Sequence, residues 1–125
     1  MVEEGLRWVS PIGTQTRQVA AGTELGGVRL PRGAAIGSLI SSANRDETNF
    51  ADPNRFDIFR PRRVNIAFGT GRHFCAGHAF SRALIKIAIE ELLQRFPRLA
   101  LDPERPPEFR GWEFRAPRRL DVMLS

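Results

Sequence analysis

Apolar residues recur at helical spacing along one long stretch of the chain. From His78 to Phe96 they return every three or four positions, which is the period of an α-helix. Ile85, Ile89 and Leu93 widen the apolar face. Pro97 then ends the pattern, so we predict a long helix that is buried on most of its sides. The main apolar face comprises Phe80, Ala83, Leu84, Ile87, Ala88, Leu92 and Phe96.

Shorter patterns before this helix predict a second, short helix and several strands. Val2 to Val9 fits a short helix that Pro11 stops, because the residue before a proline avoids the helical region. Strand-like segments follow, with glycine and proline at the turns between them. In chain order these are Gln15 to Leu25, a hairpin turn at Gly26-Gly27, a return strand from Val28 to Leu30, a turn at Pro31-Arg32-Gly33, and a strand or strand–helix junction from Ala34 to Ser41.

The remaining segments have little periodicity. Asn44 to Val64 carries Asp, Asn and Pro, which predicts an irregular, packed meander. Phe109 to Leu124 alternates weakly and predicts a terminal β-hairpin with Gly111 near its bend. Helices together with a small β-sheet and hairpins indicate the α+β class. The expected anchors of the meander are Phe50, Phe56, Ile58 and Phe59.

Length and cysteine content limit the classes of protein. A chain of 125 residues predicts a single domain, residues 1–125, with a modest core. Cys75 is the one cysteine, which excludes an intrachain disulfide and fits a reducing compartment. No apolar run is long enough to span a bilayer, and the first residues do not resemble a signal peptide. We therefore expect a cytoplasmic protein with no membrane partner.

Charge adds a candidate surface for an acidic partner. The chain carries 19 basic and 14 acidic residues, a net charge of +5, and nearly all the basic residues are arginines. The alternative is a solvated, mildly basic surface without a partner. Nucleic acid is not expected as a partner, because no aromatic residues interleave with the basic ones as a stacking platform. The arginines that flank the cysteine are Arg60, Arg62, Arg63, Arg72 and Arg82.

Cys75 lies in a glycine-rich loop directly before the long helix. The N–H groups and the dipole at a helix amino terminus favour a thiolate over a thiol. Gly69, Gly71 and Gly77 let the backbone bend tightly and approach a ligand closely. A thiolate held in this way suits a soft metal centre. The alternative is a lone cysteine that packs as a small buried hydrophobe.

The stretch around the cysteine has a fixed pattern of aromatic, glycine, basic and cysteine residues. Phe68, Gly71, His73, Cys75 and Gly77 fill that pattern. It resembles the haem-binding signature of the cytochrome P450 family, of the soluble bacterial type. The resemblance implies that Cys75 is the axial ligand of the iron of haem b, where thiolate donation favours O–O cleavage. It further implies that Phe68 shields the sulfur, that His73 reaches a haem propionate, and that Gly69 and Gly77 belong to the cofactor-binding loop.

Two charged residues of the short helix extend the resemblance. Glu4 and Arg7 are one helical turn apart, so their side chains can pair on one face. Most pairs of this kind are surface salt bridges of little worth. The pair resembles the Glu-x-x-Arg element of the same family, and Phe56-Asp57-Ile58-Phe59-Arg60 resembles the family's meander. The resemblance implies a buried structural triad of Glu4, Arg7 and Arg60.

The first strand and the turn before it also match the family. Arg17 follows Thr16 where the family places a propionate-binding arginine, so the resemblance adds Arg17 to the cofactor-binding residues. The alternative is an exposed strand arginine. Asn65 departs from the family, because bacterial members often carry histidine there. The turn resembles a substrate-contacting segment, which makes Ile12, Gly13 and Thr14 the candidate substrate contacts.

The resemblance covers the C-terminal portion of a full-length family member. It implies a monooxygenase that inserts one O2-derived oxygen atom into an organic substrate. A ferredoxin or flavodoxin docked on the basic face would supply the electrons. The long oxygen-activating helix and the helices on the far side of the haem are missing. We therefore expect a truncated chain that is not active alone.

Two classes of function stay open. The first is the haem-thiolate monooxygenase, present as its C-terminal portion. The second is a non-catalytic fragment or interaction module, with or without haem. In either case the uncovered helix face predicts a further partner, either the missing N-terminal part or a second copy of the chain. A small arginine-rich nucleic-acid binder, which predicts strongly salt-dependent binding, is the least favoured alternative.

Overall fold

Three α-helices and one 3₁₀ helix lie among residues 1–124, the part of the chain that the computed structural model describes. Helix α1 spans Val2–Val9, and α2 spans Ile40–Ala43. Helix α3 spans His78–Arg95, and the 3₁₀ helix spans Gly71–His73. Ser125, the last residue of the predicted domain, lies outside the described residues. The predicted short and long helices are confirmed, and α2 is the helical end of the predicted strand–helix junction.

The strands of residues 1–124 form four two-stranded antiparallel ladders, whereas the sequence predicts a small β-sheet and a terminal β-hairpin. The strands of each ladder contribute between two and five residues, so most of their side chains stay exposed. The pairs are β1 (Thr14–Gln18) with β4 (Ala35–Leu39), β2 (Thr23–Leu25) with β3 (Val28–Leu30), β5 (Ala100–Leu101) with β8 (Val122–Met123), and β6 (Phe109–Arg110) with β7 (Ala116–Pro117).

Glycines shape the two hairpin turns. Gly26 and Gly27, with φ angles of +56° and +79°, join β2 to β3 and confirm the predicted hairpin. Gly111 has a φ angle of +100°, and a Cβ built on it would lie 1.9 Å from the carbonyl oxygen of Phe114. A side chain at Gly111 would therefore displace the bend between β6 and β7. The predicted terminal hairpin ends at β7, because β8 pairs with β5 instead.

The buried apolar core is small. Of the four predicted anchors of the meander, Phe50 is buried. Phe56, Ile58 and Phe59 are exposed, Phe59 to 86%, so the prediction that these three anchor the meander is wrong. Hydrogen bonds from Arg7 and Arg60 to carbonyls of the meander replace apolar packing. The buried apolar side chains are Leu6, Val19, Ile40, Phe50 and Ala67.

Helix α3 has no buried residue within the described chain. The prediction that the helix is buried on most of its sides is therefore wrong, whereas the expectation that its apolar face is uncovered is confirmed. Phe80, Leu84 and Ile87 lie three and four positions apart on one face, and all three are exposed. The spacing of apolar residues predicts a helix with an apolar face. Burial of that face requires a second element that packs against it, and residues 1–124 do not provide one. No helix in the same span is both long and apolar enough to cross a membrane.

The exposed face of α3 can be tested against the buried core. The double substitution Phe80→Gln and Leu84→Gln is expected to lower hydrophobic-dye binding and self-association. It should change the free energy of unfolding by less than about 0.5 kcal/mol, because exposed side chains contribute little to folding. Leu6→Ala, at a buried position, is expected to cost about 2–5 kcal/mol in urea unfolding. A double variant as unstable as Leu6→Ala would show that one chain covers this face itself.

Candidate functional site

Cys75 lies in a closed loop between the 3₁₀ helix and α3, and it is half-buried. Its N–H donates a hydrogen bond of 3.0 Å to the carbonyl of Phe68. Its own carbonyl accepts a hydrogen bond of 3.2 Å from the N–H of His78. Gly69 and Gly71 have φ angles of +76° and +69°, in the left-handed region that favours glycine. These two glycines turn the chain so that the cysteine returns beside Phe68.

Gly77 differs from the two left-handed glycines of the loop. Its φ angle of −84° is open to any residue, so the predicted tight bend does not lie there. A Cβ built on Gly77 would lie 3.9 Å from Sγ of Cys75. A side chain at this position would therefore contact the sulfur.

Three rings pack around the loop. The ring centroid of His78 lies 4.6 Å from that of Phe74 and 6.5 Å from that of Phe68. Phe68 is half-buried, and its carbonyl closes the loop by accepting the Cys75 N–H. His78 had no sequence signal beyond its place at the start of a helix. The structure puts its ring among those that pack against the cysteine loop.

The two predicted propionate contacts have exposed side chains. His73 lies in the 3₁₀ helix, and Arg17 lies on β1. The guanidinium of Arg17 donates hydrogen bonds of 2.9 Å to the carbonyl of Thr16 and of 2.6 Å to Oε1 of Gln15. Both side chains are therefore accessible to an anionic group, and Arg17 is oriented by its own strand.

The predicted substrate segment lies against the loop of the C-terminal hairpin. Ile12 forms an isolated antiparallel bridge with Phe114, and the N–H of Gly13 donates a hydrogen bond of 2.8 Å to the carbonyl of Glu113. Gly13 and Thr14 are buried, whereas Ile12 is half-buried. Spacing along the chain could not link these segments, because they lie near opposite ends of the sequence.

Glu4 is the centre of a buried network of charges. Its carboxylate accepts two hydrogen bonds from Arg7, from Nη2 to Oε1 at 2.7 Å and from Nε to Oε2 at 2.8 Å. Nε of Arg60 donates to Oε1 at 3.2 Å, and the N–H of Asp57 donates to the same oxygen at 2.9 Å. Glu4 is 5% exposed and Arg7 is 2% exposed. The structure thus brings together Glu4, Arg7 and Arg60, the three residues that the sequence grouped.

The two arginines of this network also hold the backbone of the meander. Each guanidinium donates to three carbonyls, which uses the several N–H groups of the arginine fork. The fork thus fixes an irregular segment that has no ladder or helix to satisfy its carbonyls. The accepting carbonyls belong to Asn44, Pro53 and Arg55 for Arg7, and to Ala51, Asp52 and Arg55 for Arg60.

The surroundings of Glu4 favour its ionised form. Hydrogen bonds lower the pKa of Glu4 from 4.5 to about 2, although burial acts in the opposite direction. The bond from Arg7 contributes most, and the Asp57 N–H and the Arg60 guanidinium contribute to the same lowering. The network therefore keeps its central negative charge at neutral pH, opposite the two guanidiniums that it pairs.

Asn44 is a buried polar residue that sequence reasoning missed. Its Nδ2 donates a hydrogen bond of 2.9 Å to Oγ of Ser10, and its Oδ1 accepts one of 2.8 Å from the N–H of Ile66. Its carbonyl accepts a bond from Arg7. Asn44 thus connects the end of α1 to the segment that enters the cysteine loop. An asparagine in an aperiodic segment gives no signal of such contacts.

Comparison with known protein families accounts for this arrangement of network, meander and loop. The model of the family described as Cytochrome P450 matches residues 1–119. The chain belongs to the cytochrome P450 family. The resemblance drawn from the cysteine loop and the Glu-x-x-Arg helix is thereby confirmed.

Bacterial P450 proteins and solved structures agree with this assignment. The steroid C26-monooxygenase of Mycolicibacterium smegmatis is 38% identical over 125 residues, covering 99% of this chain and 31% of that protein. The 6-deoxyerythronolide B hydroxylase of Saccharopolyspora erythraea is 41% identical over 100 residues, covering 80% of this chain and 25% of that protein. The structure of HmtN, a post-tailoring hydroxylase involved in himastatin biosynthesis, gives a TM-score of 0.92 at 36% identity, covering 98% of this chain and 34% of that one.

The chain spans about a quarter to a third of the length of these P450 relatives. Within that span, the predicted α+β fold of the C-terminal part of a P450 is confirmed by the solved structures. The residues that the family model matches include α1, the meander, the cysteine loop and α3.

The lowered pKa of Glu4 predicts how stability depends on pH. The pKa is 4.5 without the network and about 2 within it. The contribution of the Glu4 charge is therefore complete above pH 4.5 and is lost as the pH falls toward 2, at up to about 1.4 kcal/mol per pH unit. The free energy of unfolding, measured with urea at several pH values in this window, should fall less steeply with decreasing pH for Glu4→Gln than for the wild type. Glu24→Gln, at an exposed position on β2, is the control that should keep the wild-type slope; equal slopes in all three proteins would contradict the prediction.

The contacts of Asn44 predict a stability cost for its removal. Asn44→Ala is expected to lower the free energy of unfolding by about 1–3 kcal/mol, because the N–H of Ile66 loses its buried acceptor. Asn54→Ala is the matched control, since Asn54 is an exposed residue of the same meander. It should change stability by less than about 0.5 kcal/mol. Chemical unfolding measures both, and similar losses in the two variants would argue against the assigned role.

Proposed function

We propose that Cys75 is the axial thiolate ligand of haem iron, and that the chain is one domain, the haem-thiolate portion of a P450 monooxygenase. The observation that carries this proposal is the closed loop. Left-handed Gly69 and Gly71, and the bond from the Cys75 N–H to the Phe68 carbonyl, hold the cysteine directly ahead of α3. A neutral packing cysteine needs no loop of this kind.

The residues present fit haem b in their chemistry. A single cysteine supplies one soft protein ligand, which suits an iron that is already held by the four nitrogens of a porphyrin. Cys75 is half-buried, and Gly77 places no side chain against its sulfur. Arg17 and His73 are exposed donors for the propionates. Arginine also pairs with carboxylates through two parallel bonds, which supports its assignment.

When bound, haem supplies oxygen activation, which thiolate ligation favours. The chain's own residues would hold the cofactor and limit water around its ligand. In this proposal Cys75 binds the iron, and Phe68 and Phe74 pack beside the loop. The triad of Glu4, Arg7 and Arg60 holds the meander and does not take part in the reaction.

A ferredoxin or a flavodoxin is the proposed electron donor, and the cytoplasm is the proposed location. Arg62, Arg63 and Arg72 are exposed and offer a basic surface to an acidic partner. Arg60 and Arg82, which the sequence suggested for the same surface, are paired with Glu4 and Glu3. The proposed docking surface is therefore limited to the three exposed arginines.

The proposed reaction is the insertion of one O2-derived oxygen atom into an organic substrate. The named relatives are a steroid monooxygenase and a 6-deoxyerythronolide B hydroxylase, so they share a reaction class but not a substrate. Of the three proposed substrate contacts, Ile12 has a partly exposed side chain, and Phe114 lies beside it. Gly13 and Thr14 would shape this contact from buried positions.

A second candidate is a non-catalytic module, with or without haem. The exposed apolar face of α3 favours it, because the chain spans about a quarter to a third of its relatives and leaves this face uncovered. In that case the partner is either the remaining part of a P450 or a second copy of the chain.

Haem reconstitution tests the proposed ligand. The wild-type chain, loaded with haem, reduced and exposed to carbon monoxide, is expected to show the strongly red-shifted Soret band of thiolate ligation. Cys75→Ala should lose this band, because the chain has no other cysteine. Ser81→Ala, on α3 near the loop, is the control that should keep it. A wild-type chain without the band contradicts the haem site, and a band that survives Cys75→Ala contradicts the ligand.

A further inference from the structure

Arg82 makes contacts that the proposed haem site does not use. From the first part of α3 it forms a two-bond ion pair with Glu3 of α1, with Nε 2.5 Å from Oε1 and Nη2 3.2 Å from Oε2. The side chains of Arg82 and Glu3 are 31% and 38% exposed, so the pair lies at the rim of the fold. It joins the first helix of the chain to the helix that follows the cysteine loop.

The same guanidinium reaches both ends of the cysteine loop. Its Cζ lies 4.6 Å from the ring centroid of Phe68, within the range of a cation–π contact. Its Nη1 lies 3.1 Å from Nδ1 of His78. Phe68 and His78 are the two residues whose backbone groups bond to those of Cys75. Arg82 therefore contacts both partners that hold the cysteine backbone.

Glu3 has a second connection to the loop. Nδ2 of Asn65 lies 3.4 Å from Oε2 of Glu3, and Oδ1 of Asn65 accepts a hydrogen bond of 3.2 Å from the N–H of Ala67, the residue before Phe68. The Arg82 hydrogen bond holds the pKa of Glu3 below its ordinary value, so the carboxylate stays charged at neutral pH. Glu3 can thus fix Arg82 and the loop entry at the same time.

We propose that Glu3 and Arg82 are positioning residues for Cys75. The carboxylate of Glu3 fixes the guanidinium of Arg82, and the guanidinium fixes the Phe68 ring and the His78 ring that flank the cysteine. The link from loop geometry to a metal ligand rests on the proposed function, whereas the hold on the loop does not. The planar fork is essential, because a lysine ammonium cannot bond both carboxylate oxygens and stack on a ring together.

Amide hydrogen exchange of the chain without haem tests the positioning role. Arg82→Lys and Glu3→Gln are each expected to speed exchange of the Cys75 and His78 amides by roughly tenfold, because local opening of the loop becomes easier. Amides in the ladder of β1 and β4 should change by less than about twofold, because that ladder does not contact the pair. A general loss of stability would instead speed all of these amides together.

The matched control is a second ion pair on the same helix. One turn further along α3, Nζ of Lys86 lies 3.7 Å from Oε1 of Glu90, and both side chains are exposed. Lys86→Gln should leave exchange of the loop amides unchanged. The proposal is overturned if loop exchange is unchanged in Arg82→Lys and Glu3→Gln, or if it rises equally throughout the chain. Wild-type loop amides that already exchange like an unstructured peptide would also overturn it.

Haem loading separates this proposal from the proposed function. If the wild-type chain shows the red-shifted carbon monoxide band, the fraction of bound haem that gives this band should be severalfold smaller in Arg82→Lys. In Lys86→Gln that fraction should equal the wild-type share. A full wild-type share in Arg82→Lys, despite faster loop exchange, would overturn the link to the ligand. If the wild-type chain shows no such band, the haem assignment fails, and the exchange data still decide whether Glu3 and Arg82 hold the loop.

Discussion

The carboxylate of Glu4 accepts hydrogen bonds from Arg7 of α1 and from Arg60 and the backbone of Asp57 in the meander, two segments that are far apart along the chain. A charge this deeply buried is tolerated in a folded protein because it is paired and its oxygens are hydrogen-bonded. The same guanidiniums then bond to carbonyls of the meander. One carboxylate thus sets the position of α1, the meander and the segment that leads to the cysteine loop.

This polar organisation explains why so little apolar surface is buried. The meander is held through its carbonyls, so Phe50 is its one buried aromatic residue, whereas Phe56 and Phe59 are exposed. Asn44 extends the same arrangement from α1 to Ile66 with a buried amide. Hydrogen bonds have directional requirements that apolar contacts lack, so such a network specifies one arrangement of irregular segments more sharply than a small core does.

The cysteine loop and the apolar face of α3 differ in how far the described residues complete them. The loop is closed by its own backbone bonds and glycines, and its contacts lie within the described chain. The face of α3 carries Phe80, Leu84 and Ile87 without a cover from residues 1–124. The chain spans about a quarter to a third of the length of these P450 relatives. Within that portion the cysteine loop is closed, whereas the apolar face of α3 stays exposed.

Local signals in the sequence determined the helices, the glycine turns and the family. The spacing of apolar residues predicted α1 and α3, glycine pairs predicted the hairpin at Gly26-Gly27, and the pattern around Cys75 indicated the P450 family. Each of these depends on residues close together in the chain. The tertiary structure alone decided the contacts of Asn44 and the pairing of Glu3 with Arg82. Those features depend on which distant segments meet, and an aperiodic asparagine or a charged residue on a helix carries no mark of its partner.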